Sequence, residues 1–221
     1  MTDPVSVSSV VIGHACPLWL YLEKNLQIAE SPRYTVSKQV SYHLGHALDA
    51  GAIWSEVQAV MPLIEPAMRV FLDGTVERCR EKAWPLPTDT DIAVHSEILG
   101  IRGTVDKVFA EAPYFAITRS SEAPAAGVYA ADRIRVACYC AAVRETLGLP
   151  AESGYVEYVP SGVLRICTPQ PRDRRAMVQG IGAARKVMAG EIPKRPIHAP
   201  CDRCPHEARC TTGARRLSDL L

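Results

Sequence analysis

The 221-residue chain is predicted to be an α/β protein whose mixed central sheet is flanked by helices. Three observations carry that expectation. The N-terminal part has helical apolar spacing, three short β-type runs follow between Asp91 and Thr118, and an alanine-rich helix separates them from a second strand pair. With 48% hydrophobic residues, the chain can bury a sizeable core.

Ser8 or Ser9 is placed to cap a short helix, and Pro17 fits the first turn of a second one with Leu18, Leu22 and Leu26 every four residues. Ser37 to Leu48 reads as helix. Asp49 to Met61 reads as another, with Ile53, Val57 and Val60 on one face, before Pro62 and Pro66 interrupt it. A further helix over Ala67 to Lys82 stops ahead of the proline-rich run Ala83 to Pro87. Asp91 to Leu99 alternates, Ile101 to Phe109 follows Gly100, and Tyr114 to Thr118 is a third apolar run, which together predict three adjacent antiparallel strands. Ala130 to Leu147 is an amphipathic helix closed by Gly148 and Pro150. Tyr155 to Val159 and Val163 to Cys167 flank Pro160-Ser161-Gly162, a hairpin turn in type, and a last helix runs from Asp173 to Ala189. Three parts are expected: a helical region with the first metal-binding cysteine over 1–85, a sheet core over 86–171, and a basic helix with a cysteine-rich module over 172–221.

No run of about 18 apolar residues occurs, and Met1 to Val10 has neither the basic nor the apolar region of a secretory signal. The expectation is a cytoplasmic protein with no membrane partner. In a reducing compartment, eight cysteines point to thiols and metal ligands before disulfides. Charge is unevenly spread: residues 1–171 carry 14 Lys+Arg against 19 Asp+Glu, a net of −5, and residues 172–221 carry 11 against 5, a net of +6. Arg174, Arg175, Arg185 and Lys186 on the last helix then read either as a phosphate-facing surface or as a solvated helix face.

Cys201-Asp202-Arg203-Cys204 sets two thiols across a tight turn, and Cys210 follows after five residues, so all three can meet at one centre. Tetrahedral zinc and a [4Fe–4S] cluster both need a fourth donor. Cys16, beside Pro17 at a helix start, is one candidate, and His198 or His206 would instead complete a Cys₃His zinc knuckle. Cys138, Cys140 and Cys167 fall on a helix and a strand and are assigned to the core, and Cys79 is left unassigned.

The early Cys16-Pro17, the late C-x₂-C-x₅-C, and between them Gly103-Thr104-Val105-Asp106, a short strand and an alanine-rich helix resemble one family over Cys16 to Cys210. It is the CRISPR-associated RecB-like exonucleases, the fourth CRISPR core protein; the iron–sulfur nuclease domains of AddB-type helicase–nucleases share the arrangement in much longer chains. The resemblance implies a restriction-endonuclease-like (RecB-type) core and a C-terminal iron–sulfur module, with a [4Fe–4S] cluster on Cys16, Cys201, Cys204 and Cys210. It also implies Mn²⁺ or Mg²⁺ at carboxylates that hydrolyse single-stranded DNA ends for spacer acquisition, with CRISPR integration proteins as partners.

Asp106 stands at the family's first acid. Ile117 and Arg119 stand where its acid-x-Lys motif belongs; isoleucine has no donor for a cation, and arginine does not release its proton. Glu111 and Glu122 are the nearby acids, and neither precedes Lys at the required spacing. Arg135 and Tyr139 take the family's helical Gln-x-x-x-Tyr positions, which assigns Arg135 to a phosphate and places Tyr139 with Asp106 and Arg119 in the catalytic set. The family's metal-contacting histidine, as Gly-x-x-x-His, maps from Gly45 to Asp49, with His43 and His46 nearby, and Glu97 is a further oxygen donor. The resulting expectations are an exonuclease, a DNA-binding scaffold of the same fold with a degenerate active site, and, third, a zinc-knuckle binding protein.

Overall fold

The computed structural model describes residues 3–26 and 29–210. It is α/β, with a mixed, open six-stranded sheet flanked by helices. β1 (Val5–Ser6), α1 (Val7–Ala15), α2 (Pro17–Glu23), α3 (Pro32–His43), α4 (Ala50–Val60) and α5 (Ala67–Arg80) precede β2 (Asp89–Ser96), β3 (Ile101–Val108) and β4 (Phe115–Arg119). α6 (Ala130–Leu147), β5 (Gly154–Tyr158), β6 (Val163–Cys167) and α7 (Pro171–Met188) follow.

β3 organises the sheet. β2 pairs antiparallel to it from Asp89 to Ser96, with Asp91 and Asp106 between the flanking pairs, while the other side of β3 is divided between two strands. β1 runs parallel to it at Ile101 and Arg102, and β4 runs antiparallel to it at Lys107 and Val108. β3 and β4 therefore touch at one end and splay apart beyond it. β4 and β5 are parallel, joined by α6 as the crossover such a pair requires, and β6 closes the edge antiparallel to β5.

Local chemistry sets the element ends. Ser6, not Ser8 or Ser9, caps α1 by accepting the Ser9 N–H at 3.0 Å. α3 starts five residues before Ser37, because Ser31 and Pro32 supply the cap and first helical position. It ends at His43, ahead of Gly45, which has a φ of 95°. α7 begins at Pro171 with a capping box between Gln170 and Asp173, so Asp173 is its third residue and not its start. The turn after β5 is a short 3₁₀ segment, Val159–Ser161, with Gly162 left-handed.

Two hydrophobic clusters form the interior. The larger joins the sheet to α1, α6 and α7. There α1 approaches α7 so closely that a Cβ on Gly180 would lie 2.4 Å from the Val10 carbonyl oxygen. The smaller gathers α3, α4 and α5. Cys138, Cys140 and Cys167 lie in the larger cluster and Cys79 in the smaller. Burial pushes the thiols of Cys79, Cys138 and Cys140 up to about 12 and that of Cys167 to about 11, so these four stay protonated and act as small apolar groups. Among the described residues no helix is long and apolar enough to cross a membrane.

Candidate active site and metal centre

The register of β2 on β3 creates the central feature. Thr90 pairs with Lys107 and Ile92 with Val105, which sets Asp91 directly across from Asp106. Two carboxylates opposed on neighbouring strands repel unless a cation lies between them. Lys38, reaching in from α3, supplies it: its Nζ meets Asp91 Oδ1 at 2.5 Å and also bonds Asp106 Oδ1. The outer oxygens are separately engaged, Asp91 Oδ2 by the Tyr42 hydroxyl and Asp106 Oδ2 by the Thr118 N–H at 2.7 Å. Both inner oxygens thus converge on one cation-sized point. Burial opposes the charge on Lys38, but Asp106 and Asp91 together outweigh it and hold its pKa above the ordinary lysine value. Asp91 has a φ of 55°, a left-handed conformation that aspartate tolerates better than most residues and that recurs where backbone strain serves a site.

Behind this trio lies a buried ion pair. Lys107 Nζ and Glu157 Oε1 are 2.8 Å apart with both side chains fully enclosed. Glu157 Oε2 accepts the Ser41 hydroxyl at 2.7 Å, and Ser41 Oγ is 2.9 Å from Thr118 Oγ1. Ser41 is nearly one helical turn beyond Lys38, so this network pins α3 to β3, β4 and β5 and fixes where Lys38 points. Glu157→Gln is expected to destabilise the protein by about 3 kcal/mol, because it strands a buried ammonium. Urea unfolding would measure it, and a loss below about 1 kcal/mol would contradict the role given to the pair.

The cleft over the trio has a volume of about 570 Å³. On one side stand Arg119 and Arg135, which share a single carboxylate: Asp132 Oδ1 lies 2.8 Å from Arg119 Nε and 3.0 Å from Arg135 Nη1. The Arg119 Nε–H is not aligned for a hydrogen bond. The Tyr158 hydroxyl donates to Asp132 Oδ2 and fixes that carboxylate. Two guanidinium groups on one carboxylate leave positive charge facing the cleft. Tyr34, Lys38 and Tyr42, spaced four apart on α3, form another wall, and Tyr139 closes the base. A Cβ on Gly103 would lie 2.8 Å from the Tyr139 ring, so glycine there lets the ring lie against β3.

Asp106, Arg119, Arg135 and Tyr139, singled out from sequence, line this one cleft. Other candidates lie elsewhere. His43 ends α3 and pairs with Glu56 at 2.8 Å, and His46 is exposed in the following turn. Asp49 is spent as the N-cap of α4, accepting the Gly51 and Ala52 N–H groups. Glu97 is exposed in the turn after β2, where its N–H bonds the Glu145 carboxylate. These four do not reach Asp106, because Gly45 turns the chain away after α3 and β2 ends one residue short of Glu97. Arg174, Arg175 and Lys186 are exposed on α7, and Arg185 bonds the Leu99 carbonyl at 2.7 Å; none lines the cleft.

At the opposite end of α1, Cys16, Cys201, Cys204 and Cys210 all line one small pocket with Leu18, Trp19 and Leu22 as apolar walls and Arg195 as a cation. The Cys204 thiol is raised by burial and also by the charge of Cys16, Cys201 and Cys210, although a hydrogen bond donated by the His206 backbone N–H to its sulfur works against the rise. His206 is turned away to Glu23, at 3.3 Å, and His198 is exposed and outside the pocket. Among the described residues no three Cys, His, Asp or Glu side chains sit close enough to hold a single ion. The four thiols line one pocket, and four thiolates are a donor set that both a zinc ion and a [4Fe–4S] cluster accept.

Comparison with known family models and with curated proteins returned no match. Sequence reasoning missed Lys38, Asp91, Asp132 and the Lys107–Glu157 pair. Only the strand register brings Asp91 to Asp106, although Asp91 opening an alternating run was a visible signal.

Proposed function

We propose that this chain is a CRISPR-associated RecB-like iron–sulfur exonuclease: a metal-dependent enzyme acting on single-stranded DNA ends that feed spacer acquisition. The observation that carries the reading is the meeting of Asp91, Asp106 and Lys38 at one point. Two acids and a lysine are what this nuclease type requires, and here α3, β2 and β3 contribute them where the contiguous acid-x-Lys is missing.

The residues fit a divalent ion. Mg²⁺ and Mn²⁺ are hard cations, often held by one or two carboxylates with water and substrate phosphate filling the rest, and Asp91 Oδ1 and Asp106 Oδ1 already aim at one position. When bound, such an ion would activate water and neutralise charge on the phosphate oxygens. Arg119 and Arg135 would grip the non-bridging oxygens of the substrate, and Tyr34 and Tyr42 offer ring faces on which unpaired bases stack, which favours single strands. Lys38 would hold positive charge at the scissile phosphate. Cys16, Cys201, Cys204 and Cys210 would hold a [4Fe–4S] cluster, whose work here is to tie the C-terminal segment to α2.

A DNA-binding scaffold for the integration proteins is the second reading, favoured by Ile117 at the family's acid position and by the pair of carboxylates where more would bind metal tightly. End-labelled single-stranded DNA incubated with anaerobically purified protein and Mn²⁺ separates the two. Cleavage that EDTA stops supports the nuclease; DNA retained by the protein and left intact across Mn²⁺ and Mg²⁺ supports the scaffold.

A further inference from the structure

Lys38 stands where the nuclease reading would put the metal. Its Nζ contacts the same two inner oxygens that would ligate the ion, and its side chain is only 13% exposed. A lysine ammonium and a divalent cation cannot share that point, since like charges at contact distance repel strongly in a partly buried site. In this same position its Nζ also lies 5.0 Å from the centre of the Tyr42 ring, whose face attracts cations. The flexible four-carbon stem can swing the ammonium off the carboxylates into the open cleft that Lys38 lines.

We propose that Lys38 is a tethered cation that occupies the divalent-ion position in the resting protein and is displaced into the cleft when metal enters. This rests on the nuclease reading of the same site and adds a regulation to it. Without metal, the ammonium keeps the opposed carboxylates charged and ordered, so the cleft does not collapse. With metal, the released ammonium needs an anion, and a DNA phosphate held by Arg119 and Arg135 is the nearest partner of the right chemistry. Metal and DNA should then bind cooperatively, each raising affinity for the other by the same factor. An isolated protein would hold Mn²⁺ weakly, and the site would arm on a DNA end.

The test is direct Mn²⁺ binding, read by electron paramagnetic resonance on the full chain with its cluster. Lys38→Met is expected to bind Mn²⁺ about tenfold more tightly than the wild type. A single-stranded oligonucleotide is expected to tighten Mn²⁺ binding by the wild type severalfold and to leave Lys38→Met unchanged. Equal or weaker binding by Lys38→Met overturns the proposal, and if the wild type still cleaves DNA the nuclease reading survives that failure. Tighter binding by Lys38→Met without cleavage by the wild type supports the displaced lysine and defeats the nuclease. Lysine acetylation mapped by mass spectrometry needs no variant: Mn²⁺ should raise labelling of Lys38 severalfold, and unchanged or reduced labelling overturns the displacement.

Discussion

Asp106→Asn is expected to abolish Mn²⁺-dependent cleavage of single-stranded DNA while leaving the protein folded. The amide is nearly isosteric, and its oxygen can still accept the Thr118 N–H that now bonds Asp106 Oδ2. What disappears is one of the two negative charges aimed at the cation position. Losing even an outer partner of a metal ligand reduces affinity or activity by about 10–100-fold, so losing a ligand should exceed about 100-fold. Stability should move little, because the substitution also removes the like-charge opposition with Asp91 and leaves Lys38 paired to Asp91. Rate on a labelled oligonucleotide and a thermal melt are the two measurements. A variant that melts normally and cleaves at the wild-type rate would remove Asp106, and with it the nuclease reading of the cleft.

The distribution of what sequence could disclose follows from the range of the interactions. Helices and strands rest on local periodicity, and the α/β layering with its central antiparallel strands was legible on that basis. Their ends depend on caps: Ser31-Pro32 moved α3 upstream, and Gln170 with Asp173 did the same for α7. The cleft depends on pairing across distant segments. Asp91 and Asp106 meet only through the β2–β3 register, and Lys38 reaches them from an element outside the antiparallel strands. Lys107 and Glu157 are charged residues inside strands whose mutual burial joins positions 50 apart in the chain, beyond the reach of any local pattern. The cysteine tail was legible from spacing alone, whereas Cys16 needed the family resemblance to be joined to it.

Cys201→Ser is expected to bleach the anaerobically purified protein, to reduce its iron from about four per chain to near none, and to release the tail from α2. Besides the thiols, the described part of the tail meets α2 through His206, whose ring lies 3.3 Å from Glu23, while Cys201–Arg203 is one 3₁₀ turn and most residues from 201 to 210 are exposed or half-exposed. A cross-link closing a loop of about 100 residues contributes about 4.7 kcal/mol, and Cys16 and Cys201 enclose nearly the whole chain. The core should nonetheless persist, because α1 and α2 pack on α7 through contacts that involve none of the four cysteines. The expected pattern is therefore a lower melting temperature with cooperative unfolding retained, and rapid proteolysis beginning near Cys201. Cys138→Ser is the contrasting variant: it loses core packing, keeps its iron and keeps the tail protected, since Cys138 is buried in the larger cluster and does not line the four-thiol pocket. Stoichiometric zinc in place of iron, in protein never exposed to air, would transfer the same staple to a different metal and take the iron–sulfur assignment with it.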